Sequence, residues 1–264
     1  MNINDFHYMW RGRSVRPLTI QDAYLLSPID VRRQDSGRAL LLLHGFSSSP
    51  AIYRELLPSF TIYDAVLCPV LLGHADCIES FATSSAADWL DAARQAYETL
   101  AHRYDTIDVM GLSLGGVLAC KLAEHFSINH LYLLAPALRL HGFPTLLLWC
   151  ARMLRCLGVK RITNHAGNFH TDLHQELTYR QLPIPAIIEI LTFIKKATFV
   201  APRCPTDLFL GRYDEVVDSS AVVKLFADSS NTTIHWLNNS AHILPLDGDI
   251  ETIANCVREH YPSN

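Results

Sequence analysis

Residues Thr106 to Phe126 read TIDVMGLSLGGVLACKLAEHF, and they constrain the architecture more tightly than any other part of the chain. TIDVMG is short, largely apolar and β-branched, as a strand is. From Leu112 onward Ala, Leu and Lys recur at a 3.6-residue period, which is a helical pattern. Strand, turn and helix thus follow one another with no residues to spare, and Gly111-Leu112-Ser113-Leu114-Gly115 occupies the turn. So sharp a turn leaves no room for side chains two positions either side of Ser113, and it lifts the hydroxyl clear of the backbone. With 12 Gly and 18 Ser in 264 residues, Gly-x-Ser-x-Gly arises by chance roughly 0.04 times per chain. An N-capping Ser alone would explain a helix start, but it needs no Gly on both sides.

Outward from this turn, strand and helix signals alternate. RALLLLHGF carries an unbroken apolar run from Ala39 to Leu43, as buried parallel strands do. A helical pattern over Ile52 to Phe60, a strand within Asp64 to Leu71 and a polar loop LGHADCIESFATSSA come next. The helix Asp88 to Tyr104 has Trp89, Leu90, Ala93, Ala96, Tyr97 and Leu100 on one stripe. Beyond Phe126 the spacing predicts strands at His130–Pro136, Thr206–Gly211 and Thr232–Leu237, with helices over 219–229 and 249–260. Residues 1–37 read as an irregular lead-in. Strands alternating with helices predict an α/β fold with a mostly parallel, doubly wound sheet covered on both faces. The 65 residues from 137 to 201 exceed what one crossover needs, so they are expected to form a small helical cap with helices over 143–159 and 185–198. Residues 1–136 and 202–264 would then form the core.

Composition excludes several classes. At 49% hydrophobic and 18% charged residues the chain is not disordered. The net charge of −4 leaves no basic excess for phosphates, so no nucleic-acid partner is expected. Seven Cys with no C-x-x-C pair argue against a disulfide framework or structural zinc and for a reducing compartment. The N-terminus lacks a basic start followed by an apolar run, so a cytoplasmic location is expected. The longest apolar stretch, Leu146 to Val159, is cut by Arg152 and Arg155 before it reaches the roughly 20 residues of a transmembrane segment. Nothing in the sequence indicates an oligomeric state. Thirteen His are the compositional oddity.

A serine hydroxyl is a weak nucleophile at neutral pH and needs a His to take its proton and a carboxylate to orient that His. In a doubly wound sheet both belong at the C-terminal ends of later strands. Asp214, in GRYDEVVD, lies three residues beyond the Gly ending TDLFLG, with Asp218 as its rival. His242, in NNSAHILPLD, follows TTIHWL. Two backbone N–H groups should form an oxyanion hole: that of Leu114, after the serine, and that of Phe46, beyond the turn at His44-Gly45. Phe143, Leu146, Leu147, Trp149, Met153 and Leu157 are candidates to line an acyl pocket, and Phe143, Leu146 and Trp149 are singled out as substrate-binding. His165, His170, His174 and Asp172 lie within ten residues, but serine hydrolysis needs no metal, and they read as polar surface residues.

LLLHGFSSSP (41–50), the Gly-His of LLGHAD (71–76), GLSLGG (111–116), GRYDEVV (211–217) and SAHILPLD (240–247) together resemble the α/β-hydrolase family. Within it they are most similar to small bacterial carboxylesterases and monoacylglycerol lipases. The resemblance implies Ser113 as nucleophile, His242 as base then acid, Asp214 as its orienter, and Phe46 and Leu114 as oxyanion donors. The expected activity is cofactor-free hydrolysis of a small-molecule carboxylic ester with a small to medium hydrophobic acyl group. Monoacylglycerol, lysophospholipid and thioester substrates remain open, as does a non-catalytic ligand-binding protein on the same fold.

Overall fold

The structure, a computed structural model, describes residues 1–261. In chain order it holds β1 (Phe6–Trp10), β2 (Arg13–Pro17), β3 (Ile29–Arg32), β4 (Arg38–Leu43), β5 (Ala65–Cys68), α1 (Ile78–Thr83) and α2 (Ala86–Ala101). Then follow β6 (Thr106–Leu112), α3 (Leu114–Ala123), β7 (His130–Leu134), α4 (Pro144–Cys156), β8 (Arg161–Thr163), β9 (Glu176–Tyr179), β10 (Gln181–Pro183) and α5 (Ile184–Lys196). The last elements are β11 (Thr206–Gly211), α6 (Ser219–Leu225), β12 (Thr232–Leu237) and α7 (Ile250–Glu259).

Seven strands make the central sheet in the order β12-β11-β7-β6-β4-β5-β3. All neighbouring pairs are parallel except β3, which runs antiparallel to β5 at one edge. The unbroken Leu run of β4 follows from burial on both faces. Leu41 and Leu43 enter one core with α2, α3 and α6, while Leu40 and Leu42 enter the other with α7 and the turns at 50–62. Each fully buried Leu stabilises the fold by roughly 2 kcal/mol. Helix α2 starts at a capping box, in which the Ser85 hydroxyl accepts from Asp88 N–H and the Asp88 carboxylate accepts from Ser85 N–H at 2.8 Å. Of the expected stripe it buries Trp89, Ala93, Ala96, Tyr97 and Leu100, while Leu90 is half-buried at its margin.

The fold class agrees with expectation, and four local readings do not. The loop expected at LGHADCIESFATSSA holds the short helix α1, which buries Ile78 and Phe81. Residues 52–60 form two 3₁₀ turns, Pro50–Tyr53 and Leu57–Ile62, instead of one α-helix, because Pro58 removes a donor in mid-segment. The lead-in is ordered: β3 joins the sheet edge, and β1 and β2 form a hairpin that pairs outside the central sheet, with β9. Its alternation is hidden because β2 is exposed along its whole length, whereas β1 buries three of its five residues. Segment 137–201 contains both expected helices, as α4 and α5, but also β8, β9 and β10. Strands of three or four residues are too short to display a period. No helix among the described residues is long and apolar enough to cross a membrane.

Candidate active site

The parallel strands β4, β6, β11 and β12 deliver their following loops to one edge of the sheet. After β6 the chain reverses at Ser113, whose φ of 53° and ψ of −111° lie where a side chain is strained. The glycines explain why the turn can close. A Cβ on Gly111 would run into the Gly115 carbonyl, one on Gly115 into the Leu43 carbonyl, and one on Gly116 would press on Pro136. Ser113 is further pinned through its backbone, its N–H donating to Leu134 O at 2.9 Å and its carbonyl accepting from Ala137 N–H at 3.1 Å.

Asp214, in the loop after β11, accepts three hydrogen bonds. One oxygen takes the N–H groups of Val216 and Val217, each at 2.8 Å. The other takes His242 Nδ1–H at 2.8 Å. With its proton on Nδ1, the neutral imidazole leaves a lone pair on Nε2. The rival Asp218 is occupied elsewhere, capping α6 by accepting from Ala221 N–H at 2.9 Å. Burial opposes a charge on His242, but the Asp214 carboxylate, its hydrogen bond and the nearby Glu176 outweigh it and hold the pKa above its ordinary 6.5.

Ser113, His242, Gly45 and Phe46 line one cavity of about 540 Å³. Among the described residues neither Phe46 N–H nor Leu114 N–H has a hydrogen-bond acceptor. The Phe46 ring packs against His74, Phe81 and Trp89. His44 is structural: its Nδ1–H donates to Gly45 O at 3.0 Å and its Nε2 accepts from Leu71 N–H at 3.1 Å, and burial lowers its pKa to about 4. From segment 137–201 the cavity receives Leu147, Ile162, Asn164 and Leu182. Phe143, Leu146 and Trp149, singled out above, are not among its walls: they are 76%, 54% and 59% exposed. Helix α4 instead buries Leu148 and Ala151. The helical period marks an apolar stripe but does not say whether protein or solvent lies against it.

The histidines of 165–174 are dispersed rather than gathered. His165 lies against Gly12, the ring of His170 stacks on Tyr213 with centroids 3.8 Å apart, and His174 pairs with Glu55 at 3.6 Å.

Besides Ile162, Asn164 and Leu182, three residues around His242 escaped the sequence reading. Glu176, on β9, is buried in the cavity wall, and burial pushes its carboxyl up to about 7, offset only in part by the Gly167 N–H, His242 and Arg54. Asn168 accepts the His242 N–H through its backbone carbonyl at 3.1 Å. The fully buried Asp247 accepts from the N–H groups of Ala241 (2.8 Å), His170 (2.7 Å) and Thr171 (2.9 Å), which ties the His242 loop to 168–171. Only an acid in the apolar setting of ELTY hinted at Glu176. Asn168 and Asp247 look like ordinary loop residues.

The sequence profile of the Alpha/beta hydrolase family matches residues 40–254. The chain is 28% identical over 219 residues to a thermostable monoacylglycerol lipase of Bacillus sp. (strain H-257), covering 80% of this chain and 84% of the relative. It is 21% identical over 231 residues to a carboxylesterase of Bacillus subtilis (strain 168), covering 84% and 91%. A solved structure from a description of LipS and LipT, two metagenome-derived lipolytic enzymes, is similar with a TM-score of 0.75 and 25% identity, over 89% of this chain and 96% of that one. A profile match that runs from β4 into α7, on a fold similar to that of this solved lipolytic enzyme, places this chain in the alpha/beta hydrolase family.

Proposed function

We propose that the protein is a serine carboxylic ester hydrolase acting through a seryl acyl-enzyme. The observation that carries this reading is the 2.8 Å bond from His242 Nδ1–H to the buried Asp214 carboxylate, in a loop that shares the cavity of the strained Ser113. His242 Nε2 takes the Ser113 proton as Oγ attacks the ester carbonyl, and the carbonyl oxygen becomes an oxyanion between the N–H groups of Phe46 and Leu114. The C–O bond to the alcohol breaks as His242 returns the proton to it. Water then gives a proton to His242 and its oxygen to the acyl carbon, and the acid departs as Ser113 regains its hydrogen. Each oxyanion donor is worth on the order of 3 kcal/mol of barrier.

Segment 137–201 serves as the cap over this site, since Leu147, Ile162 and Leu182 give its cavity an apolar wall suited to a small or medium acyl chain. All seven cysteines are free, which suits a reducing, cytoplasmic setting. A second reading, hydrolysis of monoacylglycerols or related lipids, is favoured by the exposed Phe143, Leu146, Trp149 and Leu157 on and beside α4, an apolar surface suited to an aggregated substrate.

The decisive experiment combines p-nitrophenyl butyrate turnover with fluorophosphonate labelling. Ser113→Ala should lower turnover by at least three orders of magnitude and abolish labelling while leaving the circular dichroism spectrum unchanged. Near wild-type turnover by that variant, or failure of the folded wild type to label, would overturn the proposal, the latter in favour of a ligand-binding protein. Rates across acyl chain lengths, with glycerol and thiol leaving groups compared, separate the ester, lipid and thioester readings.

A further inference from the structure

The opposite edge of the sheet holds a second concentration of titratable side chains. Asp207, near the start of β11, is buried, and three imidazoles converge on its carboxylate. His130 Nε2, from the first residue of β7, lies 2.6 Å from Oδ2. His235 Nε2, from β12, lies 2.6 Å from Oδ1. His260 Nε2, just beyond α7, lies 3.4 Å from Oδ2. Cys256 Sγ, one turn earlier, is 3.9 Å from His235 Nε2. Ser113 and Asp214 follow the other ends of parallel strands, so this cluster is remote from the cavity described above.

His260 is the informative member. Its Nδ1 is 2.7 Å from the Cys256 carbonyl oxygen. A carbonyl only accepts, so Nδ1 carries a hydrogen and donates it. Nε2 faces a carboxylate oxygen, and either a second ring proton or a bound cation between the two atoms satisfies both. Metal-bound histidines use this arrangement, in which the distal ring N–H donates to a carbonyl and fixes the tautomer. One ligand atom each from His130, Asp207 and His260 lies within 4.8 Å of the others. The 3.4 Å between His260 and Asp207 matches the roughly 3.3 Å between ligand atoms of a tetrahedral zinc ion with bonds near 2.0 Å, whereas His130 and Asp207, hydrogen-bonded at 2.6 Å, must separate by several tenths of an ångström to admit it.

We propose that His130, Asp207 and His260 bind a zinc-type divalent transition-metal ion at this edge of the sheet, with the fourth position open to solvent. Two imidazoles and a carboxylate form a borderline donor set that suits zinc over calcium or magnesium. His235 holds the other carboxylate oxygen and so orients Asp207. His260, 34% exposed, provides the entry path, while His130 and Asp207 are buried. On binding, the His130 proton moves from Nε2 to Nδ1, so the ring stays neutral and offers its lone pair to the metal. The ion would clamp β7 and β11 to the end of α7, a structural role independent of Ser113.

The test is isothermal titration of chelator-treated, dialysed full-length protein with ZnCl₂, alongside the visible spectrum of the Co²⁺-loaded form. Expected are one equivalent bound with a micromolar or lower Kd, a tetrahedral-type Co²⁺ spectrum and a higher unfolding temperature with zinc. His260→Ala should weaken binding at least tenfold and remove the thermal shift, while His174→Ala, a control at a distant surface, leaves both unchanged. Fluorophosphonate labelling of Ser113 should be unaltered in both variants. Absence of saturable one-equivalent binding in the wild type overturns the proposal. Undiminished binding in His260→Ala does so too, since the zinc would then sit elsewhere, for instance on the exposed Cys150 or Cys156. Should His260→Ala fail to fold, the wild-type Co²⁺ spectrum decides, because octahedral coordination or no binding contradicts the proposed four-coordinate site.

Discussion

Glu176 and His242 share one buried environment, and their charges are coupled. A negative Glu176 is among the groups that hold the His242 pKa above 6.5. The proposed mechanism needs His242 neutral, so kcat/KM should rise with pH through a limb displaced above 6.5. Glu176→Gln removes one source of the displacement, and the limb should move to lower pH in a p-nitrophenyl butyrate pH–rate profile; an unmoved limb would contradict the coupling. The same substitution has a stability signature. The folded-state pKa of Glu176, about 7, lies above its ordinary 4.5. The folded protein therefore holds this proton more tightly than the unfolded chain, and wild-type stability declines between these two pH values. Denaturant unfolding should show Glu176→Gln more stable than wild type by about 3 kcal/mol at pH 8, with the gain shrinking to nothing near pH 4.

Two elements bear on the site most directly. The turn from β6 to α3 depends on the backbone of Gly115 passing against the Leu43 carbonyl at the end of β4. Gly115→Ala should therefore misfold or lose several kcal/mol, with little soluble protein recovered on expression, because backbone on both sides has nowhere to move. Helix α2 makes a contrasting case. Ser85→Ala removes its N-cap at the surface end of a well-packed helix and should cost only about 1 kcal/mol, read from the denaturant midpoint, with esterase activity unchanged. The helix stripe around Trp89 was legible because all of it faces one core. The stripe of α4 was equally legible, yet it faces solvent at Phe143, Leu146 and Trp149, and Leu147 alone of that helix lines the cavity.

At the scale of the whole molecule, the N-terminal hairpin joins segment 137–201 to the site. β1 pairs with β9, so Met9 lies opposite Glu176. Trp10 Nε1–H donates to Thr171 O at 2.9 Å and Arg11 Nε–H to Phe169 O at 2.9 Å, next to the backbone that receives His242 N–H. Removing residues 1–17 should therefore lower both the unfolding temperature and ester turnover. Hydrogen exchange should report lost protection in β9 and 168–171 while β4 and β6 stay protected; unchanged exchange in β9 would show the hairpin to be dispensable. The six parallel strands of the central sheet, the Ser113 turn and the chain order of the proposed Ser113, Asp214 and His242 were legible in the sequence alone. Each rests on a local rule: a run buried on both faces, a turn that only glycine permits, or a loop that must follow a given strand. Tertiary structure decided what depends on partners distant in the chain. It hydrogen-bonded His242 to Asp214 and not to Asp218, put Glu176 into the cavity, turned the α4 stripe outward, and gathered three of the thirteen histidines around Asp207. Burial and pairing across 28 to 130 positions leave no periodic trace in a single sequence, because either partner alone looks like an ordinary polar residue.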